Sequence, residues 1–146
     1  MKRIFMACSI LLIAGSTIAA VPPKVNSFVQ RSLTEEFKGA ENVSWLRIGD
    51  LTEAIFDWNG VRSQAFFEDN GQLEAFAQSI EKTYLPQKTK LLISKKYNGY
   101  SIMEVTKLES IDNGTNYYVL LESEQNKIIL QADTAGRTNV FSRVKK

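Results

Sequence analysis

Apolar and polar positions alternate with period two through residues 52–76, TEAIFDWNGVRSQAFFEDNGQLEAF, and two short polar stretches interrupt the alternation. This pattern predicts three antiparallel strands. Asn59-Gly60 separates the first two runs as a two-residue hairpin turn does, because both central residues of a type I′ turn need positive φ. The turn sets a register with Trp58 opposite Val61, Phe56 opposite Ser63 and Ala54 opposite Ala65. Asp69-Asn70-Gly71 reads as a three-residue loop with Gly71 in the left-handed region, which puts Phe67 opposite Leu73 and Ala65 opposite Ala75. One face is then nearly continuous apolar surface. The other mixes Ile55, Phe66 and Phe76 with Glu53, Asp57, Arg62, Gln64, Glu68 and Glu74.

The same polarity pattern recurs in residues 117–141, YYVLLESEQNKIILQADTAGRTNVF, which align with residues 52–76 without a gap. Gly71 falls on Gly136, Phe76 on Phe141, Asp57 on Glu122, Arg62 on Lys127 and Ala65 on Leu130. Each copy is preceded by a helical pattern and a strand. Val25, Phe28, Val29, Leu33 and Phe37 recur at helical spacing before Gly39 and predict a helix over residues 24–38, followed by a strand over residues 42–48. Leu85-Pro86 opens a second helix with Leu92, Ile93 and Tyr97 on one stripe, stopped by Asn98-Gly99; a strand follows over residues 100–108. An internal repeat follows from these matches.

A helix with one apolar stripe and a four-stranded meander with one apolar face bury each other, so the fold class is α+β: a tandem repeat of two units, each a helix on a four-stranded antiparallel meander. The predicted divisions are a signal peptide at 1–20, a first unit at 21–80 and a second at 81–146, the two units forming one compact mature domain. Helix cover is expected over Ala54, Phe56, Ala65, Phe67 and Leu73, and over Val119, Leu121, Leu130 and Val140. Trp45, Trp58, Phe28, Phe37, Phe56 and Phe67 read as core.

Composition changes this picture in three ways. Lys2-Arg3, an apolar stretch to Ile13 and the small residues Ala19-Ala20 read as an export signal cleaved near Ala19 or Ala20, which implies a periplasmic or secreted protein with no membrane span in the mature chain. Cys8 would leave with the signal, so the mature chain has neither cysteine nor histidine and depends on a packed core. Its charges balance at 16 basic and 16 acidic residues, with −4 on residues 21–80 and +4 on residues 81–146. The imbalance between the halves reads as solvated surface or as complementary charge. Export and zero net charge both argue against nucleic acid.

Without histidine or cysteine the mature chain cannot build a Ser-His-Asp or Cys-His arrangement, or a zinc site with nitrogen or sulfur ligands. No cofactor is predicted. Carboxylate pairs are the remaining enzymatic option: Glu53 with Asp57, or Glu68 with Glu74, flanking a sugar beside Phe66. Solvated surface charge is the commoner explanation of such residues.

Residues 35–45 (EEFKGAENVSW), 54–60 (AIFDWNG), 65–71 (AFFEDNG), Leu85-Pro86 and residues 95–102 (KKYNGYSI) resemble the beta-lactamase-inhibitor-like, PepSY-like proteins exported by bacteria. The resemblance covers almost all of the mature chain. It implies two units of helix on four-stranded sheet, a free sheet surface available to a partner, an envelope location and a non-catalytic role. The PepSY part implies a looser association with modules that restrain peptidases. The inhibitors carry disulfides, and in this the mature chain departs from them.

Ile55, Phe66 and Phe76, matched by Leu120, Ile129 and Phe141 with Gln131 in place of Phe66, put apolar groups on the less apolar face in both copies. Two readings stand: packing between the units or under the C-terminal tail, or a shallow docking surface ringed by charge. On the second, the protein is a non-enzymatic binding module for an envelope or secreted protein or peptide, with Ile55, Arg62, Phe66, Phe76, Lys127, Ile129 and Phe141 as partner-binding residues. A small-ligand carrier with a cavity between the units and a carboxylate-dependent hydrolase are the alternatives.

Overall fold

The computed structural model describes residues 24–146, so the predicted export signal, its predicted cleavage site and Cys8 lie outside the described residues. Two ten-residue helices, α1 (Ser27–Glu36) and α2 (Gln87–Lys96), accompany eight strands. These are β1 (Glu41–Ile48), β2 (Leu51–Trp58), β3 (Val61–Phe67), β4 (Leu73–Ile80), β5 (Ser101–Ser110), β6 (Gly114–Glu122), β7 (Asn126–Asp133) and β8 (Thr138–Lys145), with a 3₁₀ turn at Lys82–Tyr84. All eight strands pair consecutively in one antiparallel sheet, and β4 pairs directly with β5. The fold is α+β. Neither helix is long and apolar enough to cross a membrane.

Local chemistry accounts for the elements. Asn26 caps α1 by accepting the Val29 N–H at 3.0 Å. Val29, Leu33 and Phe37, spaced by four, turn one face of the helix into the core. Phe28 lies one step around the helix and is 60% exposed, so it is a surface residue where the periodicity placed it in the core. Asn59 and Gly60 have φ of 51° and 77°, as the hairpin turn demands, and the β2–β3 register pairs Trp58 with Val61, Phe56 with Ser63 and Ala54 with Ala65.

The next hairpin departs from expectation at one residue. Phe67 pairs with Leu73, but a bulge then admits Glu74 as an extra residue, so Phe66 pairs with Ala75 and Ala65 with Phe76. A bulge reverses the facing of every later side chain. Phe76 therefore points to the helix side, stacked on Phe37 at 5.1 Å and edge-on to Trp58 at 6.0 Å. In β7–β8 the simple register persists as far as Leu130 opposite Val140, and the irregularity follows beside Phe141. Phe141 stays on the face away from the helices, edge-on to Tyr118 at 5.4 Å.

Both helices pack on one side of the sheet. α1 covers Ala54, Phe56, Ala65 and Phe67, with Trp45, Trp58, Leu73 and Phe76 at the margin. Ile93 of α2 and Tyr97 just after it, with Leu85, cover Val105, Val119, Leu121, Ile128 and Leu130. Val140, expected under α2, is 44% exposed on the last strand. A third cluster occupies the opposite face, where Leu51, Phe66, Ala75, Ala77, Leu108, Tyr118 and Ile129 run from β2 to β7 and join the two halves. Neither helix contributes to it.

Candidate functional site

The face opposite the helices carries six of the seven predicted partner-binding residues, and Phe76 is the one it lacks. Phe66 sits in the third cluster with no exposed surface. Ile129 is buried in the same cluster four strands away, and Phe141 packs half-buried at the cluster's margin. Ile55, paired with Ser44 and Gln64, is half-buried on the same face. The packing reading of the apolar residues therefore accounts for Phe66 and Ile129, while Ile55, Leu120 and Phe141 retain surface.

The two predicted cations occupy matching positions at hairpin ends. Arg62 Nη1 lies 3.3 Å from Asp57 Oδ1, and Lys127 Nζ lies 3.8 Å from Glu122 Oε2. Asp57 also accepts from Asn42 Nδ2 at 2.8 Å, and this bond, with Arg62 second, holds its carboxyl below the usual carboxylate range. Lys146 at the C-terminus bonds Glu122 and lowers its carboxyl, with Lys127 adding to the effect. Each cation thus has a carboxylate within ion-pair reach, in a solvated pair of small energetic weight.

Between these ends lies a group whose role the sequence pattern misjudged. Glu53, which alternation placed among surface charges, has no exposed surface. It stands opposite Leu46 and Phe66, and its Oε1 accepts from Gln64 Nε2 at 2.7 Å. Its Oε2 has no hydrogen-bond partner. Burial pushes this carboxyl up to about 7, against a smaller lowering by the Gln64 bond, so near neutrality it holds a proton for much of the time. The position sixty-five residues later is Tyr118, whose hydroxyl accepts from Gln131 Nε2 at 3.3 Å. Tyr118 was absent from the predicted site, although period-two spacing from Leu120 would have put it on this face.

The proposed acid pairs fare differently. Glu53 and Asp57 share a face but are four residues apart on one strand, about 13 Å between Cα atoms, beyond the roughly 5 to 10 Å between paired glycosidase carboxyls. Glu68 and Glu74 do approach one another at the β3–β4 loop. Burial first, then the charges of Glu68 and Asp112, raise the Glu74 carboxyl, while Gln72 Nε2 donates to it at 3.1 Å. Among the described residues no group of three metal-ligating side chains converges. A recess of about 250 Å3 lies where the halves meet, between Leu73–Phe76 and Glu109–Ile111.

No protein-family model and no curated protein matches the chain. Solved structures do. A Bacteroides eggerthii protein named for an inferred periplasmic location superposes with a TM-score of 0.72 at 14% identity, covering 86% of this chain and 90% of that one. A DUF2874 family protein from Bacteroides uniformis gives 0.70 at 17% identity, over 82% and 88% of the two chains. A BLIP-like protein, named for likeness to the beta-lactamase inhibitor protein, from Bacteroides fragilis gives 0.65 at 19% identity, over 86% and 88%. The chain has the fold of these proteins, and the beta-lactamase-inhibitor-like resemblance read from its motifs holds at the level of fold. The descriptions of these structures carry no PepSY designation.

Proposed function

We propose that the protein is an exported, non-enzymatic binding module that docks a partner protein or peptide on the sheet face opposite its helices. The observation that carries this reading is the placement of both helices on one side of an eight-stranded sheet whose other side bears a continuous apolar cluster. Ile55, Leu120 and Phe141 form the accessible apolar part, Phe66 and Ile129 its floor, and Arg62 and Lys127 its charged ends. Likeness in fold to a protein described as BLIP-like and to one assigned to the periplasm supports an inhibitor-like role in the cell envelope. Cleavage near Ala19 or Ala20 belongs to the same reading, as does the looser PepSY-like association.

The tandem organisation, 21–80 followed by 81–146, is part of the proposal. Asp57–Arg62 and Glu122–Lys127 close equivalent hairpins. Gly71 packs against Phe28 and Ser32 of α1 as Gly136 packs against Lys88 of α2. Each half has its own helix-side cluster, and the β4–β5 pairing merges them into one sheet.

The test is capture of envelope proteins by the immobilised protein beside an Ile55→Ala/Phe141→Ala variant. A protein retained by the first and lost from a variant of unchanged melting temperature supports the reading. Equal retention by both, or no retention, removes it.

A further inference from the structure

A second recess lies on the helix side of the sheet, away from the docking face. The 3₁₀ turn, α2 with the turn after it and the start of β5 border an open recess of about 510 Å3, within the range of small-molecule sites. Its apolar wall is made by Ile93, Tyr97, Tyr100 and Ile102, with the two tyrosine rings edge-to-face at 5.7 Å. Lys82 and Lys90 stand over that wall, and no carboxylate lines it. Lys90 is half-buried and donates from Nζ to the Thr83 carbonyl at 3.1 Å, which ties its ammonium across the recess while using one of its three donors. Neither lysine has an ion-pair partner among the described residues. The other ion pairs of the fold hold their cations in solvated pairs with acids. Here two cations flank an aromatic and aliphatic wall that includes no acid; Glu81 and Glu104 line the adjoining recess, across Lys82, Thr83 and Ile102.

We propose that this recess binds a small amphipathic monoanion, a single carboxylate on an aryl or branched alkyl body. The charge would sit between Lys82 and Lys90, where it would accept charge-assisted hydrogen bonds, and the body would lie on Tyr97, Tyr100, Ile93 and Ile102. A polyanion suits the recess less well, because Lys82 and Lys90 are the only charged groups lining it. The site is independent of the docking face, since its apolar wall belongs to the cluster beneath α2.

The probe is 1-naphthoate, titrated into the protein and followed by amide chemical shifts, with the neutral 1-naphthalenemethanol as its isostere. Saturable shifts at Thr83, Ser94, Asn98 and Ile102 are expected for naphthoate. Affinity for the neutral isostere should be at least roughly tenfold weaker, as should naphthoate affinity for a Lys82→Met/Lys90→Met variant whose spectrum otherwise superposes. Equal affinity for the two probes overturns the proposal, as does an unaffected double variant. Shifts centred on Phe66 and Ile129 also overturn it, because they move the ligand to the opposite face.

Discussion

Glu53→Gln isolates the fully buried carboxyl of the docking face. Replacement by glutamine keeps the shape of the protonated acid and leaves an amide oxygen to accept from Gln64 Nε2, the bond now spanning 2.7 Å. The wild-type carboxyl titrates at about 7 in the fold against an ordinary 4.5. Between those values the folded chain holds a proton that the unfolded chain has released, so the stabilisation is complete below about 4.5, declines as pH rises and levels off above about 7. Linkage over that interval gives about 2 to 3 kcal/mol lost between pH 5 and pH 8. Glutamine does not titrate, so the variant lacks this component. Urea unfolding of both proteins at pH 5, 6, 7 and 8 measures it, and the difference between them cancels every other titrating group. A wild-type-minus-variant difference that stays constant across the series would refute the assignment of a buried, proton-holding Glu53.

Phe66→Ala should cost about 3 to 5 kcal/mol in chemical unfolding, as expected of a ring with no exposed surface, and a loss under 1 kcal/mol would place Phe66 outside the core. Phe76→Ala should fall at or below the low end of that range through loss of the stack on Phe37, with no effect on partner capture by a still-folded variant. Gly71→Ala should be more damaging than Gly114→Ala. Both have positive φ, which costs an L-residue about 1 to 2 kcal/mol, but a Cβ at Gly71 would also meet Ser32 Oγ at 2.8 Å and the Phe28 carbonyl oxygen at 2.9 Å, whereas Gly114 faces open space. Equal melting temperatures for the two would contradict that packing. Arg62→Ala should change stability by less than about 1 kcal/mol, since its pair with Asp57 is solvated, which makes it a clean probe of docking.

Much of the fold was legible because its signals are local. Asn59-Gly60 specifies a turn through the backbone preferences of two adjacent residues, and the β2–β3 register followed from it pair by pair. The stripe of Val29, Leu33 and Phe37 and the alternation of Ala54, Phe56, Ala65 and Phe67 named both sides of the first helix–sheet contact. The side of the sheet, away from the helices, was read correctly for Ile55, Phe66, Ile129 and Phe141. Glu53 was misjudged, since alternation assigns a residue to a face but says nothing of how deeply that face is packed.

Alternation and turn residues thus determined which neighbouring strands pair within each half and, up to the first irregularity, which side chains share a face, whereas the β4–β5 pairing that joins the halves came from the tertiary structure. Tertiary packing decided where the irregularities fall. Residues 65–76 and 130–141 have the same period-two pattern, yet one hairpin bulges at Glu74 and the other beside Phe141. The earlier bulge brings Phe76 onto Phe37 and Trp58 beneath α1; the later one leaves Phe141 against Tyr118 on the opposite face. One inserted residue reverses the facing of all that follow, and the balance that places it depends on aromatic partners far away in sequence.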